Sequence, residues 1–264
     1  MHTELRRFLL ALGFFTRIPV PNFADFKTEE LNHTAKYFAL VGILVGLVAA
    51  AVFFIASLIF TQTIAVLCSM AASIYLTGAF HEDGLADSAD GLGGGWEREQ
   101  MLTIMQDSRL GTYGAIALFL MLMAKLQTLA AMPFLLIPLA LISGHALSRL
   151  AAVWVMRCLP YVRFAGKSKP LATQISLPDL RLAHVFGLMF YVAIVVLLML
   201  SHHQWYVVLQ FILLTSLPVL TVWWWWVSKL QRCLGGYTGD TLGATQQLTE
   251  LAYYLGVLAW SMQA

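Results

Sequence analysis

Between His81 and Gly91 the chain reads His-Glu-Asp-Gly-Leu-Ala-Asp-Ser-Ala-Asp-Gly, and Asp83, Asp87 and Asp90 recur at i, i+4 and i+7. On a helix this spacing gathers the three carboxylates into one narrow arc. Like charges at such positions repel by about 0.2–0.5 kcal/mol per pair even in water. A divalent cation relieves that repulsion, and carboxylate oxygens are the ligands that Mg²⁺ or Ca²⁺ prefers. His81 and Glu82 point away from this arc. Gly84, Gly91 and Gly93-Gly-Gly95 let a substrate approach the backbone and bring the helix to an end. Seven of the fourteen acidic residues lie between Glu82 and Asp107. In a chain so poor in charge, that concentration favours a functional site over a solvated helix cap.

Two further blocks carry polar chemistry. Ile104-Met-Gln-Asp-Ser-Arg-Leu-Gly-Thr-Tyr-Gly114 leads into an apolar run. A Gly-Thr-Tyr-Gly helix start exposes backbone N–H groups, and Arg109 adds a bidentate donor, so Arg109, Thr112 and Tyr113 suit a phosphate-bearing substrate. Asp107 is placed to complete a metal site or to accept a proton. The third block, Leu234-Gly-Gly-Tyr-Thr-Gly-Asp-Thr-Leu-Gly-Ala244, holds Thr238 and Asp240 at another helix start, where the plain alternative is a capped turn. Lys125, His145, Arg149 and Glu250 stand inside apolar runs, where ionisable groups are functional candidates. His145 and Arg149 lie one turn apart and are candidate substrate ligands, whereas Lys125 is placed to snorkel towards the nearer interface.

The elements that must position these residues are membrane helices. Of 264 residues, 59% are hydrophobic and 11% charged, with a mean hydropathy of +0.75; soluble domains carry about 25% charged residues. The fold class is therefore an all-α, polytopic bundle in a lipid bilayer, forming one integral-membrane domain over 1–264. Spans are expected at 37–60, 62–81, 112–132, 134–156, 182–201, 205–227 and 242–261, seven in all, with Gln246, Gln247 and Glu250 interrupting the last. Residues 1–36 read as an interfacial segment and 81–111 as an acidic active-site loop. Basic residues fill alternate connections: Arg6, Arg7, Arg17, Lys27 and Lys36 first, then Arg157, Arg163, Lys167, Lys169 and Arg181, then Lys229 and Arg232. The intervening connections are uncharged, which predicts a cytoplasmic N-terminus and a cytoplasmic acidic site. Trp223-Trp-Trp-Trp226 reads as an interfacial aromatic belt. Cys68, Cys158 and Cys233 have neither disulfide nor zinc spacing, and nothing points to nucleic acid as a partner.

Together these motifs resemble the cobalamin synthase family, the adenosylcobinamide-GDP ribazoletransferases. The resemblance rests on Phe15-Thr-Arg-Ile-Pro-Val-Pro21, Asp83-Gly-Leu-Ala-Asp-Ser-Ala-Asp-Gly91, the 104–114 block and Gly235-Gly-Tyr-Thr-Gly-Asp-Thr-Leu-Gly243, in that order along nearly the whole chain. Glu82 stands where many members carry an apolar residue, and the tryptophan run lies outside the shared pattern. The resemblance implies an enzyme of the bacterial inner membrane that joins adenosylcobinamide-GDP to α-ribazole or its 5′-phosphate and releases GMP. It also implies Mg²⁺ as the metal, with Asp83, Asp87 and Asp90 as ligands. Asp107, Arg109 and the acidic triad would then be catalytic. A CDP-alcohol phosphotransferase-like enzyme also uses an Asp-rich helix, but its motif adds Ala-Arg after Asp-Gly and spaces its later aspartates further apart. An ion-coupled transporter would set its carboxylates near the bilayer midplane, usually within internal repeats, and no repeat is visible.

Overall fold

The computed structural model describes residues 3–21, 28–162, 172–201 and 204–263. Among these, the regular structure is helical apart from one isolated β-bridge. In chain order the helices are α1 (Thr3–Phe15), α2 (Thr28–Asn32), α3 (Phe38–Ser57), α4 (Gln62–Thr77), α5 (Phe80–Gly94), α6 (Arg98–Ile104), α7 (Thr112–Ala130), α8 (Leu136–Cys158), α9 (Leu177–Ser201), α10 (Trp205–Leu234) and α11 (Gly239–Ser261). A single 3₁₀ turn, Ala35–Tyr37, precedes α3.

Among the described residues, five helical segments are long and apolar enough to cross a membrane: Glu30–Ser57, α7, α8, α9 and α10; α4 and α5 make a sixth if taken as one bent span. The seventh expected segment is helical as α11, yet its composition does not qualify it. The reason is its surroundings. α11 packs against α5, α8 and α10, and Thr245, Gln246, Gln247, Thr249 and Glu250 are all buried inside the protein. A helix enclosed by neighbours needs internal hydrogen-bond partners rather than an apolar surface. Of the basic residues behind the expected orientation, Lys27, Arg163, Lys167 and Lys169 lie outside the described residues.

The span expected at 62–81 ends early. α4 closes at Thr77 with Gly78 in the left-handed region (φ 66°), followed by Ala79, also left-handed (φ 58°). Ala79 N–H returns to Ile74 O at 2.9 Å, a Schellman closure. A left-handed alanine costs about 1–2 kcal/mol. Here the neighbours hold it: α5 leaves at 85° to α4, and the N-terminal segment fills the corner. Phe14 and Phe15 meet Phe80 edge-to-face, Phe15 stacks on His81, and Arg17 N–H bonds Leu76 O at 2.8 Å while its guanidinium lies over the Tyr75 ring. A Cβ on Gly78 would stand 2.9 Å from Arg17 Nε. The stretch expected as a loop over 81–111 is thus mostly helix, α5 and α6, because α5 buries one side against α7 and α11.

α5 crosses α11 at a point where both lack side chains. A Cβ on Gly84 would lie 2.7 Å from Asp240 O, and one on Gly243 would lie 3.2 Å from the Gly84 Cα. Elsewhere α3 and α8 use the same device: a Cβ on Gly46 would fall 2.6 Å from the Ile142 Cα. Gly84→Leu is therefore expected to destabilise the folded protein by about 1–3 kcal/mol through overpacking. Gly94→Ala, where a Cβ meets only Ile104 at 3.6 Å, should leave the thermal unfolding midpoint in detergent unchanged or slightly raised. Equal midpoints for the two variants would refute the close crossing.

Candidate active site

α5 remains one helix through Gly84, so Asp83, Asp87 and Asp90 do share a face, but they descend from exposed Asp83 through half-buried Asp87 to buried Asp90. Asp90 accepts 2.8 Å hydrogen bonds from both Gly111 N–H and Gly114 N–H. Its carboxylate thus occupies the start of α7, where a helix presents unpaired donors and partial positive charge. The sequence pointed to a phosphate at that helix start; a carboxylate from α5 holds part of it. This contact joins the acidic block to the second block.

Met105 of the second block packs into the core against Gly91, whereas its charged pair faces outward. Asp107 and Arg109 pair with each other: Arg109 Nε lies 3.0 Å from each Asp107 oxygen and Nη2 2.6 Å from Oδ2, with Arg109 side chain 88% exposed. Hydrogen bonds from Arg109 hold the Asp107 carboxyl below its usual range, so it is ionised throughout the neutral range. Thr112 is exposed and Tyr113 largely so, its ring covering Gly93 of α5.

The third block is fixed by backbone contacts. Gly235 ends α10 in the left-handed conformation (φ 67°). Tyr237 N–H then bonds Pro160 O at 2.9 Å, and Tyr237 O accepts from Val162 N–H at 3.1 Å. Thr238 and Thr241 form a capping box at the start of α11. Thr238 is fully buried and its hydroxyl donates to Asp240 Oδ2 at 3.5 Å. Because Gly84 sits against the Asp240 backbone, the start of α11 lies alongside α5 between Asp83 and Asp87.

His145 and Arg149 are placed differently from a surface substrate contact. Both are buried, in a network linking four helices. Glu250 Oε2 lies 2.9 Å from His145 Nδ1, and its Oε1 2.7 Å from Lys125 Nζ. Arg149 Nη1 donates to His145 O at 2.9 Å. Lys125 also reaches Gln247 Oε1 at 2.7 Å, and Gln247 Nε2 donates to Glu82 Oε1 at 2.9 Å. Gln246 bonds both Ser148 and Glu250. Lys125, expected to snorkel, instead turns inward and pairs with a buried carboxylate. Glu82, set aside on sequence grounds, connects α5 to this network. Gln246, Gln247 and Ser148 were not singled out as site residues, although two glutamines beside a glutamate in an apolar run are a readable sign of a buried polar cluster.

Among the described residues, no three His, Cys, Asp or Glu side chains are grouped to hold a metal ion. That arrangement still fits Mg²⁺, which is commonly bound by one or two carboxylates with substrate phosphates and water completing the shell. Asp83 and Asp87, the accessible members of the face, have the right oxygen chemistry, whereas Asp90 is engaged by two amides. The tryptophan run is also split: Trp224 and Trp225 are exposed, but Trp226 is buried and Trp223 donates to Ala151 O at 3.0 Å. Two of the four rings are thus exposed and two pack into the protein.

Removing one member of the buried pair strands the other charge, at a cost of about 3–5 kcal/mol. Lys125→Met and Glu250→Met are each expected to lower folded yield and unfolding temperature sharply, and the double variant to recover much of the loss. Additive losses would argue against the pairing. Asp90→Ala should cost about 1–2 kcal/mol, as other lost helix caps do.

The profile of the cobalamin-5-phosphate synthase family matches residues 7–258. An adenosylcobinamide-GDP ribazoletransferase from Shewanella frigidimarina is 45% identical over 262 residues, covering 97% of this chain and 95% of the relative. Proteins of the same name from Shewanella piezotolerans and Shewanella amazonensis are each 44% identical, over 97% and 98% of this chain and 95% and 97% of their own. No solved structure matches. With the family profile spanning all three blocks and the helices that hold them, the chain belongs to the cobalamin-5-phosphate synthase family.

Proposed function

We propose that this protein is an adenosylcobinamide-GDP ribazoletransferase, joining that nucleotide to α-ribazole or its 5′-phosphate with release of GMP. The observation that carries the reading is the acidic helix α5, turned 85° off α4 and locked to the starts of α7 and α11, in a chain whose relatives bear that name over nearly their whole length. The site would face the cytoplasm from the bacterial inner membrane, where nucleotide-activated substrates are found; the basic connections read from the sequence support that side.

In the proposed reaction a ribose hydroxyl of the acceptor attacks the cobinamide-linked phosphorus. The bond from that phosphorus to the bridging oxygen breaks, and GMP departs with the electron pair. Mg²⁺, held by Asp83 and Asp87 with Asp90 behind them, would neutralise charge on the pyrophosphate oxygens. Asp87 or Asp107 would accept the hydroxyl proton. Arg109, released from Asp107, has the planar fork to grip a phosphate. Asp240 borders the same face and would hold a ribose or a second ion; Thr238, expected as a ligand, is instead buried in the capping box and would position Asp240. Asp90 would act by fixing α7 against α5. His145 and Arg149 would support α5 through Glu250, Gln247 and Glu82.

Asp83→Asn and Asp87→Asn are each expected to lower GMP release from adenosylcobinamide-GDP by about 10²-fold or more, with Asp107→Asn as a separate arm. Measured with added Mg²⁺ and with chelator, near-normal turnover in the first two variants would sink the assignment of the acidic face. CMP release from a CDP-alcohol would instead support the phosphotransferase alternative.

A further inference from the structure

Between α8, α9 and α10, with Tyr253 of α11 also on its wall, lies a groove of about 500 Å³. It is cut into helices of membrane-spanning length, and α9 and α10 keep most of their surface outside the protein. Along α8 the lining runs from Leu147 to Cys158, roughly 16 Å at the helical rise. That is about one leaflet of a hydrocarbon layer roughly 30 Å thick. The polar side chains on the walls are turned to one another. Trp154 Nε1 donates to His184 Nε2 at 3.0 Å, and His184 Nδ1 lies 2.8 Å from Leu180 O. Nδ1 therefore carries the ring proton, and both nitrogens are engaged. Tyr191 Oη lies 3.0 Å from Thr215 Oγ1 and 2.9 Å from Ser216 Oγ, and Trp223 Nε1 donates to Ala151 O at 3.0 Å. A base or sugar entering here would give up its hydrogen bonds to water and regain few. A hydrocarbon chain has none to give up.

The end of the groove has the opposite character. Arg157 follows Trp154 by three residues on α8, and Arg181 precedes His184 by three on α9, so each stands one helical turn beyond the lining. The Trp154–His184 hydrogen bond holds these two helix ends side by side. Both arginines are exposed. Asp179, the carboxylate nearest Arg181 in the sequence, is taken by His33, Lys36 and Ser176. An apolar cleft one leaflet deep with two cations at its polar end is complementary to a lipid bearing negative charge.

We propose that this groove seats an anionic phospholipid, one acyl chain lying along α8, α9 and α10 and the phosphate at Arg157 and Arg181. The lipid would fill the space between two spans that otherwise pack lightly, and it would tie them to α8. The assignment stands apart from the ribazoletransferase reading, and its test uses no turnover.

The full chain, stripped of lipid in mild detergent, is titrated with phosphatidylglycerol or with phosphatidylethanolamine of the same acyl chains, and bound lipid is counted by native mass spectrometry. The wild type should hold phosphatidylglycerol about tenfold or more tightly than phosphatidylethanolamine, as two arginines near a headgroup predict. Arg157→Gln with Arg181→Gln should abolish that preference while either lipid still binds. Val219→Phe, which fills the groove, should weaken both lipids by about tenfold. Inorganic phosphate, which has no chain, should not displace the lipid. Unfolding midpoints show whether Val219→Phe keeps its fold; if it does not, the exposed arginine pair decides. Equal affinity of the wild type for the two lipids overturns the proposal. So does a preference that survives loss of both arginines, or unchanged binding in folded Val219→Phe. Lipid displaced one-for-one by adenosylcobinamide-GDP or α-ribazole 5′-phosphate overturns it in favour of a substrate seat. A dimer that forms only as lipid is lost from the groove overturns it in favour of a second copy of the chain.

Discussion

A fifteen-residue helix bearing Glu82, Asp83, Asp87 and Asp90 cannot continue an apolar span along the membrane normal, because each bare carboxylate in hydrocarbon costs several kcal/mol. That constraint organises the molecule. The chain must turn between α4 and α5, and it does so through two consecutive left-handed residues. The turn is held open by Phe14, Phe15 and Arg17 from the other end of the segment. This explains why the opening Phe-Thr-Arg-Ile-Pro stretch accompanies the acidic helix: one buttresses the corner from which the other departs.

The inner side of α5 obeys the same electrostatics with the opposite solution. Half-buried Glu82 is met by Gln247 and, through it, by Lys125 and Glu250. Two cations and two carboxylates lie among α5, α7, α8 and α11, with His145 between them. Such a cluster is a poor source of net stability, since desolvation opposes the attraction. It is a strong source of specificity, because any other helix arrangement leaves a charge unpaired. The helices are thereby aligned to within hydrogen-bond tolerance, which a purely apolar bundle in lipid would not enforce.

Much of this was legible in the sequence, and for identifiable reasons. Apolar runs marked α3, α7, α8, α9 and α10, and the i, i+4, i+7 spacing held because α5 remains one helix. The bend was not legible, because Gly78-Ala79 is a common pair and nothing nearby is a strong helix breaker. The assignment of Asp90 to the acidic face was geometrically sound, yet spacing cannot show that two amides from residues 21 and 24 positions away would engage it. Lys125 read as a snorkelling residue since its partner lies 125 residues further on. Trp226 had no local signature: only its packing and hydrogen bonds against α11 bury it while Trp225 beside it stays exposed.

The separation of Lys125 from Glu250 also sets an order of assembly. α7 is synthesised and inserted well before the ribosome reaches α11, so for that interval its lysine has no glutamate to face. Until then the half-made bundle carries an unmatched charge at the depth of α7, and its helices have reason to stay loosely associated. The last helix is consequently more than the final piece of the chain. By bringing the carboxylate that Lys125 lacks together with Gly243 and Asp240, α11 closes the buried network and completes the packing around the acidic helix in one step.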